Sequence, residues 1–298
     1  MSQVMIKDQI PREELMAGGH LACPGCGAPI AMRMVLKALG PRTIVVLPAC
    51  CWSVIAGHYP QSSLGVPLYH TAFETAAAVS SGIRAALDVQ GQKDITVLAW
   101  AGDGGTFDIG IQALSGAAER NEDILYCCYD NEAYMNTGIQ RSSSTPWGAW
   151  TTTTPAGHPE DHPKKDMLAI LAAHAVPYAA TASVAYPLDL LEKVKKAKDI
   201  RGTRFLQILS PCPPGWKCAD ERALHLARSA VRSRVFPLME VENGRTWRFT
   251  VEHPGDPVEP YLRQQGRFRH LRDEDIARIQ ADVDHRWGVL KRRVEFGT

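Results

Sequence analysis

The chain has 298 residues, 45% of them hydrophobic, and a formal net charge of +1. Length and apolar content suffice for one large packed domain or two smaller ones. The balanced charge argues against nucleic acid as a partner, and the lack of any apolar run of about 18 residues argues against a membrane span.

In chain order, the opening "MSQVMIKDQIPREELMAGGH" carries acidic residues and no apolar h-region, so it predicts no signal peptide. The expectation is a cytoplasmic protein with reduced thiols. "GHLACPGCGAP" then places Cys23 and Cys26 before a helix-like run. "TIVVLP" (Thr43 to Pro48) is short, β-branched and apolar, as a buried parallel strand is. "PACCWS" follows with Cys50 and Cys51, and "FETAAAVSSGIRAAL" reads as a helix of small residues. "DITVLAWAGDGG" is a second buried strand entering a glycine turn, and "DIGIQALSGAAER" is the next helix. "DILYCCYDN" is a third strand; "RFLQILSPC" is a fourth, after the helix "PLDLLEKVKKAK". This alternation predicts an α/β fold, a doubly wound and mostly parallel sheet, whose ligands bind beyond the carboxyl ends of its strands.

Between the third strand and the next helix, "NTGIQRSSSTPWGAWTTTTPAGHPEDHPKK" (Asn136 to Lys165) is a long Ser/Thr/Gly/Pro loop, and such loops are commonly functional. Trp147 and Trp150 predict that it is ordered against a surface. After about Val235 the pattern changes. A hairpin is expected about Asn243-Gly244, then a helix with Ile276, Ile279, Val283, Trp287 and Leu290 on one face. The expected division is a ligand-binding domain at 1–235 and a C-terminal extension at 236–298.

Two sets of residues carry chemistry. In "GDGGTFDIG", Gly102, Gly104 and Gly105 let the backbone approach a ligand around Asp103, and the following helix start suits an anionic phosphate. Asn131 ends the next strand, where it can converge with Asp103. One carboxylate and one amide oxygen make a partial shell for Mg²⁺, which keeps water and phosphate oxygens as its other ligands. The second set is the cysteines. Eight in a chain this long are too sparse for a disulfide scaffold, so metal ligands or core filler are expected. Cys127 and Cys128 lie within a strand and read as core.

"GDG" with an Asn that far downstream resembles the thiamine diphosphate motif. More narrowly, "AGDGGTFDIGIQALSGAAERN" with "YCCYDNEAYMNTGIQRSSSTPWGAWTTTTPAG" resembles the β subunit of 2-oxoacid:ferredoxin oxidoreductases, from Gly18 to about Arg234. The resemblance implies that Asp103, Asn131 and the main-chain carbonyl of Ala133 hold Mg²⁺ on the cofactor diphosphate. It places Asn136 of "YMNTG" beside the reacting atoms. It also implies that Cys23, Cys26, Cys51 and Cys212 bind one [4Fe–4S] cluster; Cys218 is the alternative to Cys212, which is preferred because "SPCPPGW" matches the family pattern. Cys-x-x-Cys plus remote thiolates can complete four ligands for such a cluster; a tetrahedral zinc is the rival reading. Cys50 stands where the family commonly has Gly. His20 and His70 are left as structural residues, and Glu74 as a helix terminus.

The implied activity is CoA-acylating oxidative decarboxylation of a 2-oxoacid to acyl-CoA and CO₂, with electrons leaving singly through the cluster. The implied partners are an α subunit supplying the pyrimidine-binding domain and catalytic Glu, γ and ferredoxin-like subunits, and ferredoxin or an NAD-reducing subunit as acceptor. Ser53 replaces an acidic residue usual in pyruvate-type subunits, and Trp52 adds apolar bulk. "PACCWSVIAGHYP" resembles the phenylglyoxylate-type branch, so phenylglyoxylate to benzoyl-CoA is the expected reaction, with pyruvate second and oxalate third. Two other classes stay open: a non-redox thiamine diphosphate lyase and a zinc-stapled assembly subunit.

Overall fold

The structure, a computed structural model, describes residues 10–58 and 60–297. Residues 1–9 of the segment read as lacking a signal peptide lie outside these. Eight strands form one sheet in the order β2-β1-β3-β4-β6-β5-β7-β8. They are β1 (Thr43–Pro48), β2 (Leu68–Thr71), β3 (Thr96–Gly102), β4 (Leu125–Asp130), β5 (Tyr178–Ser183), β6 (Arg204–Leu209), β7 (Leu238–Glu242) and β8 (Thr246–Val251). The first six pair in parallel; β7 runs antiparallel to β5, and β8 to β7.

The four expected strands are β1, β3, β4 and β6, and they are sheet neighbours. Sequence reasoning missed β2 and β5. β2 has only four residues, and "YAATAS" of β5 is rich in alanine, a residue depleted in strands. Alternation along the strands builds two cores, one on each face. Val45, Leu47, Leu98, Trp100, Leu125, Cys127 and Tyr129 face one way; Val46, Val97, Ala99, Ala101, Tyr126 and Cys128 face the other. Cys127 and Cys128 are fully buried core side chains, as read.

The hairpin about Asn243-Gly244 is β7–β8, both turn residues taking positive φ. Its pairing with β5 makes β7 and β8 a continuation of the same sheet. The helix Asp273–Phe296 buries Ile276, Val283 and Trp287, with Ile279 and Leu290 partly buried beside them. Its first turn holds Asp273, Glu274 and Asp275, which suit the positive end of the helix dipole. Among the described residues no helix is long and apolar enough to cross a membrane.

Parallel pairing puts the carboxyl ends of β1, β3, β4 and β6 along one edge of the sheet, with Gly102 opposite Tyr129 and Asp130 opposite Leu209. The strand order reverses at β1, since β2 lies on one side of it and β3 on the other. A crevice at such a reversal is where open α/β sheets bind ligands.

Candidate cofactor site at the carboxyl edge of the sheet

Gly102 ends β3, and Asp103 follows with 1% of its surface exposed. The chain then makes a π-helical turn over Gly104–Asp108 before the helix Ile111–Glu119. The sequence reading expected the helix directly after the glycines. The wide turn is held by Thr106 Oγ1 donating to the Gly102 carbonyl at 2.8 Å and the Tyr126 hydroxyl donating to the Gly105 carbonyl at 3.3 Å. Such turns are frequent at functional sites. Gly104 lies so close to Tyr134 that a Cβ there would meet the ring at 1.8 Å.

Asn131 follows β4 and its side-chain amide ends 2.9 Å from Asp103 Oδ1 and 2.8 Å from the Ala133 carbonyl oxygen. With its nitrogen toward them, both contacts are hydrogen bonds. With its oxygen toward them, three oxygens share one face. Neighbouring ligands on an octahedral Mg²⁺ with bonds of about 2.1 Å stand about 3.0 Å apart, close to these two separations, so this donor set fits the cation. Asp103, Asn131 and Ala133 are therefore brought together as expected. Burial and the carboxylate of Asp130 push the Asp103 carboxyl well above its usual range, against the pull of the Ser142 hydroxyl and Lys164. A bound divalent cation reverses that balance.

The loop between Asn131 and Ala133 turns through Glu132, whose φ is +72°. This left-handed conformation aims the Asn131 side chain and the Ala133 carbonyl at one point, and it is uncommon for a residue with a Cβ. Buried charges hold it there. Glu132 accepts from Arg267 at 2.6 Å and from Lys164 at 2.9 Å, and Lys164 also reaches Asp130 at 2.7 Å. The indole of Trp216 donates to the Asn131 carbonyl at 2.9 Å.

The long loop is ordered over this site. Its consecutive hydroxyls each take one part of it: Ser142 donates to Asp103, Ser143 to Asp108, Ser144 to Asp130 at 2.6 Å, and Thr145 to the Glu132 carbonyl at 2.9 Å. Lys165 donates to the Phe107 carbonyl in the π turn. Sequence reasoning named none of these residues. The run "SSST" between the Asn136 turn and Lys164 was the available signal; Arg267, far downstream, gave none.

Cys23, Cys26, Cys51 and Cys212 lie close enough to act on one another's charge. The loop "CPGC" packs on the loop after β6, where the Gly27 amide donates to the Pro211 carbonyl at 2.9 Å. Burial pushes the Cys26 thiol up to about 11, with Cys23 adding to it. Burial pushes Cys212 up to about 12, with Cys26, Cys23 and Cys218 adding. Cys51 is raised by burial, then by Cys50, Cys212, Cys26 and Asp103. Cys218 also lies near Cys212, its thiol raised by burial and Asp220 against the pull of Arg267. Among the described residues, no three of these sulfurs come within 4.8 Å of one another. A single tetrahedral zinc with bonds of about 2.3 Å holds its sulfurs about 3.8 Å apart.

One pocket touches both sets, although of the four cysteines only Cys51 lines it. Cys50, Cys51, Gly102, Asp103, Gly104, Gly105, Asn131, Ala133 and Asn136 all line it, with Phe73, Tyr129, Tyr134 and Met135. Asn136 is exposed on the turn closed by the Tyr134 amide donating to the Gln140 carbonyl at 2.9 Å. Trp52 and Ser53 do not line it, which corrects the expectation that they shape an aromatic substrate wall. Trp52 is fully buried, edge-on to Trp100 at 6.1 Å between centroids, and the Ser53 hydroxyl accepts from the Cys50 amide at 3.2 Å. Both follow from the short helix Cys51–Ile55, which turns Trp52 inward and uses Ser53 to close its first turn. Glu74 is exposed just before the helix Ala76–Val89, as read.

Comparison with known proteins gives a consistent picture. Residues 49–208 match the family described as thiamine pyrophosphate enzyme, C-terminal TPP binding domain. The ketoisovalerate oxidoreductase subunit VorB of Pyrococcus abyssi is 52% identical over 300 residues, covering 97% of this chain and 96% of that one. The pyruvate synthase subunit PorB of Methanocaldococcus jannaschii is 52% identical over 297 residues, covering 96% and 99%. Among solved structures, the 2-oxoglutarate:ferredoxin oxidoreductase from Magnetococcus marinus shares the fold, with a TM-score of 0.57 at 23% identity over 76% of this chain and 81% of that one.

Proposed function

The chain belongs to the β subunits of the 2-oxoacid:ferredoxin oxidoreductases and carries their thiamine pyrophosphate-binding domain, and from that membership we propose that it forms the diphosphate, Mg²⁺ and iron–sulfur half of an active site completed by partner subunits. The observation that carries this reading is that Asp103 and Cys51 are walls of one pocket. Asp103, Asn131 and the Ala133 carbonyl hold Mg²⁺ against the diphosphate, and the backbone at Gly102, Gly104 and Gly105 admits it closely. Asn136, on its exposed turn, faces the reacting atoms. Bound there, thiamine diphosphate supplies the chemistry that breaks the bond between the oxo carbon and the carboxylate. The chain orients it, neutralises its charge and offers a thiol-bound electron acceptor in the same pocket.

Cys23, Cys26, Cys51 and Cys212 hold a [4Fe–4S] cluster in this reading. The high identity to oxidoreductase subunits supports it over a zinc staple, and a lyase without redox chemistry has no use for four thiols near the cofactor. Cys212→Ser should bleach the broad visible absorption of the anaerobically purified complex, whereas Cys218→Ser should leave it. The opposite pattern moves the fourth ligand to Cys218, and a colourless zinc-containing wild type ends the redox reading.

The substrate is an aliphatic 2-oxoacid oxidised with CoA to acyl-CoA and CO₂, pyruvate first. The relatives named for pyruvate and ketoisovalerate support this, and with Trp52 and Ser53 off the pocket wall the aromatic assignment loses its support. The equal identity to VorB favours ketoisovalerate as the second reading. A pocket separates such homologues by only about 10- to 200-fold per methylene. Assay of the assembled complex with pyruvate, ketoisovalerate and phenylglyoxylate should rank phenylglyoxylate last by kcat/KM; a clear preference for it restores the aromatic reading. The α and γ subunits, a ferredoxin-like subunit and ferredoxin as acceptor complete the complex.

A further inference from the structure

We infer that Arg267 is a positioning residue for the cation site: its grip on Glu132 sets the turn that aims the Ala133 carbonyl at Asp103. This rests on the reading that Asp103, Asn131 and Ala133 hold the cation. Arg267 is 2% exposed and comes from the far end of the chain, on the short turn Gly266–Phe268. Its Nη2 donates to Glu132 at 2.6 Å, its Nε to Gln265 at 2.9 Å, and its plane lies 4.2 Å over Trp216. Trp216 in turn holds the Asn131 carbonyl. The arginine therefore fixes both sides of the peptide pair that must turn.

Its own placement is rigid. The Trp150 amide donates to the Arg267 carbonyl at 2.8 Å, and the Gly266 amide donates to the Lys217 carbonyl at 2.9 Å. Lys164, the other cation on Glu132, divides itself with Asp130. Arg267 makes no ion pair except with Glu132 among the described residues. A planar, always-charged fork stacked on an indole is suited to hold one carboxylate in one orientation. The left-handed Glu132 then persists because the surrounding charges over-determine it.

The test uses Mn²⁺ as probe, titrated into the assembled complex with saturating thiamine diphosphate and read by electron paramagnetic resonance. Arg267→Met should weaken Mn²⁺ binding about 10- to 100-fold, the range seen when partners that orient metal ligands are lost. Arg267→Lys should recover part of that loss. Because Arg267→Met leaves a buried carboxylate short of a partner, the pair Arg267→Met with Glu132→Gln removes both charges and should regain stability. A purely structural role predicts that Mn²⁺ affinity returns with stability in this double variant. A positioning role predicts a stable double variant that still binds Mn²⁺ weakly. Wild-type affinity in the double variant overturns the inference. Asp103→Ala serves as the reference: if it leaves Mn²⁺ binding unchanged, the cation-site reading itself has failed, whatever Arg267 does.

Discussion

Asp103→Ala should reduce Mg²⁺-dependent binding of thiamine diphosphate by the assembled complex more than about 100-fold, beyond the 10- to 100-fold expected from losing a residue that only orients a metal ligand. The carboxylate is the one charged oxygen of the three, and an amide and a carbonyl alone offer a divalent cation no charge. Asp103→Asn, which keeps the shape, should lose nearly as much. Isothermal titration with the cofactor at fixed Mg²⁺ reads the effect directly, and unchanged affinity in both variants removes Asp103 from the site. The wild type should also bind Mg²⁺ more weakly as pH falls. Burial and Asp130 raise the Asp103 carboxyl well above its usual range, so protons compete with the cation for it.

Lys164→Met should cost about 3–5 kcal/mol of stability, the loss expected when one partner of a buried ion pair is removed. The lysine is the cation shared by Asp130 and Glu132, which are 0% and 4% exposed. Without it Asp130 keeps, among the described residues, Ser144 and Gln207 as side-chain donors. The pH dependence has a definite sign. Glu132 is lowered despite its burial, by Lys164 and Arg267. A lowered carboxylate contributes stability that is full above its unfolded value of about 4.3 and is lost as pH falls through the folded value. Lys164→Met should flatten that acid limb, because the lysine is the larger of the two lowering charges. Urea midpoints at pH 7 and pH 4 measure both effects; a midpoint unchanged at pH 7 shows that the two acids find other partners.

The sequence by itself determined the scaffold and the chemistry-bearing positions. β1, β3, β4 and β6 were legible because a parallel strand buried on both faces must be an apolar run. Asp103 and Asn131 were legible because they sit at the ends of those runs, where a parallel sheet gathers its loops on one edge, whereas Ala133 came only from the family resemblance. The CPGC pair was legible because its spacing is local. Only the tertiary structure decided what holds these groups in place. The π turn at Gly104–Asp108 takes the Tyr126 hydroxyl from β4, and the four hydroxyls of Ser142–Thr145 find their partners only once the long loop folds back. Trp52 turned inward, away from the pocket, because a five-residue helix set its direction and no periodicity in so short a run could. Arg267 lies 135 residues from the glutamate it grips. Contacts across such a separation are fixed by the packing of the whole sheet, so one chain read in order carries no local mark of them.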